Sequence, residues 1–185
     1  MQHDLAERAR GGDHDAFSVL VGGSIGRLYA LACLILRDRD RANDAVQEAL
    51  VAAWRDIRGL RDPERVDAWF RRLVVRACYR QARTERRRQV VTLRVIDDEP
   101  PVSPGPELTV LDRDRLERGF GRLSPEHRAI LVLTHYLGLP LHEAAEILDI
   151  PNGTAKSRQS RAIAAMRAAL EADDRTELTG EERTA

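Results

Sequence analysis

Several residue types that other fold classes need are scarce in this chain. Aromatic residues make up 4% of its 185 residues, which disfavours strand-rich barrels and sandwiches. Cysteine occurs twice, at Cys33 and Cys78, without CxxC or metal-site spacing, and we expect both thiols to stay reduced. No apolar run approaches the ~20 residues that span a bilayer, and the polar start lacks the apolar core of a signal peptide. We therefore expect a cytoplasmic, helical protein without membrane insertion.

Lysine is almost absent, because Lys156 stands alone among 30 basic residues that are otherwise arginine. The formal net charge is zero, but the charges are unevenly distributed. Residues 1–94 carry 19 basic and 13 acidic side chains, whereas residues 95–185 carry 11 basic and 17 acidic ones. Between Arg71 and Arg94, nine arginines accompany one acid, Glu85. This clustering suits a polyanionic partner, although solvent ions can also screen it.

One segment interrupts the helical pattern of the chain. Residues 95–107 hold four of the eight prolines and four acidic residues, a composition typical of an extended linker. The linker predicts an all-α protein of two small helical domains, residues 1–94 and 108–170, followed by a polar tail, 171–185, that we expect to fray. The apolar spacing within the domains predicts five helices besides those discussed next, over 16–36, 40–54, 64–88, 108–120 and 124–137.

A helix-turn-helix is the most specific local pattern in the sequence. It comprises a short helix over 141–148, a turn over 149–153 that contains Gly153, and a longer helix over about 154–169. Ala145 is the small residue that lets the two helices approach closely. The second helix is basic and has no acid before Leu170, which favours DNA binding over an ordinary helical hairpin with a solvated face.

The same stretch resembles region 4 of extracytoplasmic-function sigma factors, of the sigma-70 family, through Gly153-Thr154-x-Lys156-Ser157-Arg158 followed by Arg161-Ala162. The first half resembles region 2 of that family, through residues 44–49 and Trp54. Trp69-x3-Leu73 and the arginines that follow resemble the helix that melts and reads the −10 element. Arg76 and Arg80 stand where the family often has Asn and Asp, and Pro140 replaces the usual Ser or Thr cap.

The resemblance implies a sigma factor that directs bacterial RNA polymerase to specific promoters under the control of an anti-sigma factor. Its implied partners are core RNA polymerase, promoter DNA and that anti-sigma factor, with no cofactor and no enzymatic activity of its own. The implied polymerase-binding residues are Asp44, Gln47 and Glu48. The implied −10 residues are Trp69, Arg72, Arg76, Arg80 and Arg83. The implied −35 residues are Thr154, Lys156, Ser157, Arg158, Ser160 and Arg161.

Reasoning from the residues alone leaves alternatives open. Asp44 and Glu48, at i and i+4, form either a surface for a basic partner or a solvated helix face. Trp54 and Trp69 lie on apolar stripes, which favours a role in the core over base stacking. A free-standing helix-turn-helix repressor or activator and a protein-binding adaptor are the competing functions. His135, His142 and Glu143 do not have the HExxH spacing of a metal site, and no phosphate-binding or hydrolase motif occurs.

Overall fold

The computed structural model describes residues 1–88 and 110–181, with side chains described for 1–84 and 115–172. The chain divides into two compact units, Met1–Val102 and Ser103–Ala185. Every regular element within the described residues is helical, which confirms the all-α fold class. The predicted linker, 95–107, lies outside the described residues.

Within residues 1–88, the first unit contains four α-helices and two short 3-10 turns. The helices are α1 (Gln2–Arg10), α2 (His14–Leu36), α3 (Arg39–Asp56) and α4 (Val66–Arg88), and the 3-10 turns, Ile57–Gly59 and Pro63–Arg65, join α3 to α4. Helix α1 was not predicted, since its nine polar-rich residues bury only Ala6 and Ala9. Helix α2 runs unbroken through Gly22, Gly23 and Gly26.

Helix capping explains where the first helices begin. Asp13 accepts a hydrogen bond from the backbone N–H of Ala16 at 3.0 Å and so caps α2. Asp38 caps α3 in the same way, through the N–H of Arg41 at 2.9 Å. The capping bond from Ala16 and the hydrogen bond from Arg8 lower the pKa of Asp13. These local hydrogen bonds fix where α2 and α3 begin, because each satisfies a backbone N–H of the first helical turn.

The core of the first unit lies where α2, α3 and α4 pack together. Phe70 of α4 is 1% exposed and Phe17 of α2 lies edge-on to it, with 6.1 Å between ring centroids. Helix α3 contributes only small side chains and one valine to this core, namely Ala42, Ala45, Val46, Ala49 and Ala53. Small residues let α3 and α4 approach closely, which places their outer faces side by side.

Helix α2 contradicts the expectation that no segment is apolar enough to span a membrane. By length and composition alone, residues His14–Leu36 are long and apolar enough to span a membrane. Glycines and a single arginine, Arg27, interrupt the apolar residues without making the stretch polar. The helix packs against α1, α3 and α4, and it buries Leu20, Leu28 and Ile35 among them. Its apolar character is therefore accounted for by its place in the core of the domain.

The described part of the second unit, residues 110–181, contains four α-helices. They are α5 (Val110–Gly121), α6 (Pro125–Leu131), α7 (Leu141–Leu148) and α8 (Asn152–Glu181). Ser124, where the helix predicted over 124–137 begins, caps α6 by accepting from the N–H of His127 at 3.3 Å. The helix predicted to run on to Leu137 instead changes to a π-helical turn at Val132–Tyr136.

The end of the helix-turn-helix differs from the prediction at two points. Helix α8 begins at Asn152 rather than Thr154, because the left-handed backbone at Asp149, with φ 52°, already completes the turn. It also continues to Glu181, well beyond the predicted end at Ala169 and into the tail that was expected to fray. Helix α7 keeps the predicted bounds, and Pro140 begins it without a side-chain cap.

The core of the second unit combines large residues of α6 and the π-helical turn with alanines of α7 and α8. Ile130 and Leu133 are fully buried, and so are Ala155 and Ala162 of α8. Helix α5 packs closely on α8 at Gly119, where an added Cβ would lie 3.2 Å from Met166 Cε. This packing leaves the opposite side of the first turns of α8 exposed.

Candidate polymerase and nucleic-acid interfaces

The outer face of α3 presents the residues predicted to bind polymerase. Asp44, Gln47 and Glu48 are all exposed, while their neighbours Ala45 and Ala49 are buried. Val51 lies one turn further along this face and is 52% exposed. Sequence reasoning missed Val51, because an apolar residue in an alanine-rich helix gives no sign of which side it faces. The face thus combines two acids, an amide and one aliphatic side chain.

Helix α4 carries the residues predicted to bind the −10 element along one face. Trp69, Arg72, Arg76, Arg80 and Arg83 follow a spacing of three or four residues, so one side of the helix presents all five. Arg76, Arg80 and Arg83 are exposed, whereas Trp69 and Arg72 are half-buried. The guanidinium of Arg83 lies 5.8 Å from the ring centroid of Tyr79, within cation–π range. A row of arginines on one helix side suits a phosphate backbone.

The structure brings the two predicted surfaces of the first unit into contact. Arg80 Nη2 of α4 donates to Glu48 Oε1 of α3 over 2.7 Å, and each side chain is about half exposed. The two residues are 32 positions apart, so no local pattern in the sequence indicates the pair. One residue predicted to bind polymerase and one predicted to bind DNA are therefore each other's ion-pair partners.

Both tryptophans pack against other rings, as favoured from the sequence. Trp54 lies 4.0 Å from the ring centroid of His14 and 5.0 Å from that of Phe17. Trp69 lies 5.6 Å from Phe70, whose ring is in the core. Both indoles remain half-buried, so Trp69 anchors the start of the basic face of α4 and is still partly accessible to solvent.

Asp67 fixes the start of α4, and sequence reasoning missed it. Its carboxylate accepts from Ser24 Oγ at 2.7 Å, from Gln2 Nε2 at 2.9 Å and from Arg27 Nη2 at 3.4 Å. Burial by itself raises the pKa of Asp67, but the hydrogen bonds from Ser24 and Gln2 and the charges of Arg27 and Arg71 outweigh it, so this pKa is lowered. The carboxylate also lies in the first turn of α4, where a negative charge is favourable.

Helix α8 presents the residues predicted to read the −35 element. Lys156, Ser157, Ser160 and Arg161 are exposed, whereas Thr154 and Arg158 are half-buried toward the core. Ala155, on the opposite side of the same turn, is fully buried. The four exposed side chains are hydrogen-bond donors or acceptors of the kind that reads base edges and binds phosphates.

Arg161 is held along the helix rather than extended into solvent. Its Nε donates to the carbonyl of Ser157 and its Nη2 to the hydroxyl of Ser157, both over 3.2 Å. The hydroxyl of Ser157 in turn donates to the carbonyl of Thr154 over 3.0 Å. These bonds place the guanidinium over the first turns of α8, on the side away from the core.

Nucleophilic and metal chemistry have little support in the described part of the chain. Cys33 and Cys78 are free and buried, and burial raises the pKa of both thiols. A thiol with a raised pKa is a poor nucleophile. Among the described side chains, no group of three His, Cys, Asp or Glu residues is placed to hold a metal ion.

Comparison with known proteins assigns the chain to a family. The model of Sigma-70 region 2 matches residues 20–88, and that of Sigma-70, region 4 matches residues 119–168. The sigma factor SigV of Bacillus subtilis is 32% identical over 148 residues, which cover 79% of this chain and 86% of SigV. The ECF sigma factor SigM of Mycobacterium tuberculosis is 32% identical over 153 residues, which cover 83% of this chain and 76% of SigM. The chain belongs to the ECF RNA polymerase sigma factors.

A solved structure of a sigma factor agrees with this assignment. Sigma factor RpoE of Bartonella quintana, crystallised with the anti-sigma factor NepR, is 25% identical to this sigma factor with a TM-score of 0.59. The match covers 85% of this chain and 98% of RpoE. Sigma factors are transcription regulators, and membership of this family decides against a free-standing repressor or activator and against an adaptor that binds only proteins.

Proposed function

We propose that this sigma factor binds core RNA polymerase through the exposed face of α3 and −10 DNA through the arginine face of α4. Asp44, Gln47 and Glu48 supply the polymerase contacts, and Val51 adds apolar area at the C-terminal end of that face. Arg76, Arg80 and Arg83 supply phosphate contacts, with Trp69 and Arg72 nearer the core. The observation that carries the proposal is that α3 and α4 present an acidic face and a basic face within a single domain that matches region 2.

The second unit binds duplex DNA at the −35 element in this proposal. Its domain, residues 108–170, contains the match to region 4 and inserts the first turns of α8 into the major groove. Arg161 bonds a guanine edge, and Lys156 neutralises a phosphate. Thr154, Ser157, Arg158 and Ser160 complete the surface. The first domain extends over residues 1–94, with the linker over 95–107 and the tail over 171–185.

Control by an anti-sigma factor completes the proposal. RpoE of Bartonella quintana was crystallised with such a partner, and the match covers nearly all of RpoE. The initiation chemistry belongs to polymerase, and the protein acts in the cytoplasm without enzymatic activity of its own. An anti-sigma factor that binds this chain is expected to abolish the transcripts that the chain directs.

Run-off transcription tests the proposed function directly. Core polymerase with genomic promoter fragments should give specific run-off transcripts only when the chain is added. The double variant Asp44→Ala/Glu48→Ala should reduce them, whereas Asp56→Ala, an exposed acid at the end of the same helix, should not. Transcripts that do not depend on the chain, or an equal response to both variants, would contradict the proposal.

A further inference from the structure

The ion pair between Glu48 and Arg80 lies between the two proposed binding surfaces of the first domain. Its 2.7 Å contact joins the α3 face to the α4 face, and neither side chain is buried. Both groups are therefore accessible to an incoming partner. A cation on polymerase would compete with Arg80 for Glu48, and a DNA phosphate would compete with Glu48 for Arg80.

The helices that carry this pair are held in fixed register. Ala45 and Ala49 of α3 are buried, as are Ala77 and Cys78 of α4, so the two backbones approach closely. With its amide oriented to satisfy both neighbours, Gln81 donates to the carbonyl of Arg41 and accepts from the N–H of Ala45, each over 3.1 Å. The side chains of Glu48 and Arg80 are thus presented to each other by a rigid packing, and breaking the pair requires only rotamer changes.

Each member of the pair has a neighbour of the same charge that is not in an ion pair within residues 1–84. Asp44, one turn before Glu48, takes part in no ion pair among the described side chains. The same holds for Arg76, one turn before Arg80. Each proposed surface thus holds a charge that is paired with the other surface and, one turn away, a charge of the same sign that forms no ion pair within residues 1–84.

We propose that the Glu48–Arg80 pair couples polymerase binding to −10 DNA binding. Polymerase must displace Arg80 from Glu48, and DNA must displace Glu48 from Arg80. Whichever ligand binds first breaks the pair and leaves the other residue available to the second ligand. The second ligand then avoids the cost of breaking the pair, so the two bind with positive cooperativity. Because such coupling is reciprocal, DNA strengthens polymerase binding by the same factor. The inference rests on the proposed function, since it uses both proposed surfaces.

The size of the coupling follows from the exposure of the pair. Ion pairs between half-exposed side chains are weak because water and salt screen them. A pair of this kind corresponds to about a 1.5- to 5-fold change in affinity. The coupling should fall as salt rises.

Double-mutant cycles on the full chain test this coupling. The DNA probe is a fluorescein-labelled single strand of mixed sequence, measured by anisotropy without polymerase. Glu48→Gln should tighten binding by about 1.5- to 5-fold more than Asp44→Asn, which removes the same charge one turn away. In the Arg80→Gln background, this excess should vanish, because no pair is left to break.

The second arm measures affinity for core polymerase without DNA. Arg80→Gln should tighten binding by a similar factor in the wild-type chain and not in the Glu48→Gln background. Arg76→Gln should show no such dependence on Glu48. Circular dichroism checks that each variant folds.

The outcomes separate the coupling from the proposed function. Additive effects of Glu48→Gln and Arg80→Gln in either arm would overturn the coupling. Polymerase affinity that responds to neither Asp44→Asn nor Glu48→Gln would overturn the proposed polymerase surface, and the coupling with it. The anisotropy measurement on single-stranded DNA contains no polymerase, so it is interpreted independently of the polymerase affinities.

Discussion

The hydrogen-bond cluster at Asp67 yields a quantitative prediction about the domain that carries α3 and α4. Ser24 is a core residue, 3% exposed, and its hydroxyl donates to Asp67. Replacing Asp67 with Ala removes the carboxylate that accepts this hydrogen bond from the buried Ser24 hydroxyl. The change also removes the bonds from Gln2 and Arg27, which tie α1 and α2 to the start of α4.

The expected loss can be estimated from the burial of each partner. A buried hydroxyl left without its acceptor costs about 1–3 kcal/mol. Arg27 is largely exposed, so its ion pair adds only about 0–1 kcal/mol. The free energy of unfolding should therefore fall by about 2 kcal/mol. For a domain of this size, that corresponds to a fall in Tm of roughly 10 °C.

Urea unfolding followed by tryptophan fluorescence measures this loss in the full chain. Both tryptophans of the sequence, Trp54 and Trp69, lie in the first domain, so their signal reports on that domain alone. Asp56→Ala, at an exposed position, is the matched control. The reasoning predicts that Asp67→Ala costs much less in a Ser24→Ala background, where no hydroxyl remains to be satisfied. An equal cost in both backgrounds would refute it.

The same cluster predicts a pH dependence. Since the pKa of Asp67 is lower in the folded than in the unfolded state, the charged carboxylate stabilises the fold fully above its unfolded pKa of about 3.9. That contribution is lost as the pH falls through the folded value. The difference in unfolding free energy between wild type and Asp67→Asn should therefore be constant near neutrality and shrink below about pH 4. A difference that does not change in acid would contradict the lowered pKa.

Three further predictions concern other surfaces. The double variant Asp44→Ala/Glu48→Ala should weaken binding to core polymerase by about 1–3 kcal/mol, measured by titration of a labelled chain. Arg161→Ala should lower affinity for the preferred −35 duplex by about 1–3 kcal/mol and relax the sequence preference at one base pair. Lys156→Ala should instead weaken binding to all sequences alike, and it should reduce the slope of log affinity against log salt concentration by about one. Gly23→Ala should raise the stability of the first domain by about 0.5–1 kcal/mol in the fluorescence assay, because no atom lies within 4 Å of the new Cβ.

Each of these has a result that would count against it. Unchanged polymerase affinity in a folded double variant would remove the α3 acids from the interface. Arg161→Ala that binds every sequence as the wild type does would show that another side chain reads the base. Gly12→Ala is the matched control for Gly23→Ala, since Gly12 lies in the same domain with φ +96°, a backbone conformation that alanine adopts only with strain, and should give no such gain.

The helices with strong apolar periodicity were predictable from the sequence, and so was the turn between α7 and α8. Ser124 before Pro125 predicted the start of α6, because capping is a local interaction between a hydroxyl and a backbone N–H three residues on. The predicted binding residues of α3 also proved to share an exposed face, because buried and exposed positions alternate with the helical period.

What sequence reasoning missed depends on contacts between distant residues. Helix α1 is too polar for a periodicity argument, and its link to the domain through Gln2 and Asp67 spans 65 positions. The Glu48–Arg80 pair likewise depends on how α3 packs against α4. The π-helical turn at Val132–Tyr136 leaves no simple periodic signal, because it shifts the helix by a single residue within an otherwise apolar stretch.

Helix α8 separates the residues that hold it in place from those that face outward. Ala155 and Ala162 are seven positions apart and fully buried, so they fix the helix against its domain with the smallest side chains available. Lys156 and Ser160 lie on the opposite side and contribute little to the core. Under the proposed function, substitutions on this face alter which promoters are bound without first destabilising the domain. A change of target sequence then needs only single substitutions, each of which leaves a folded protein.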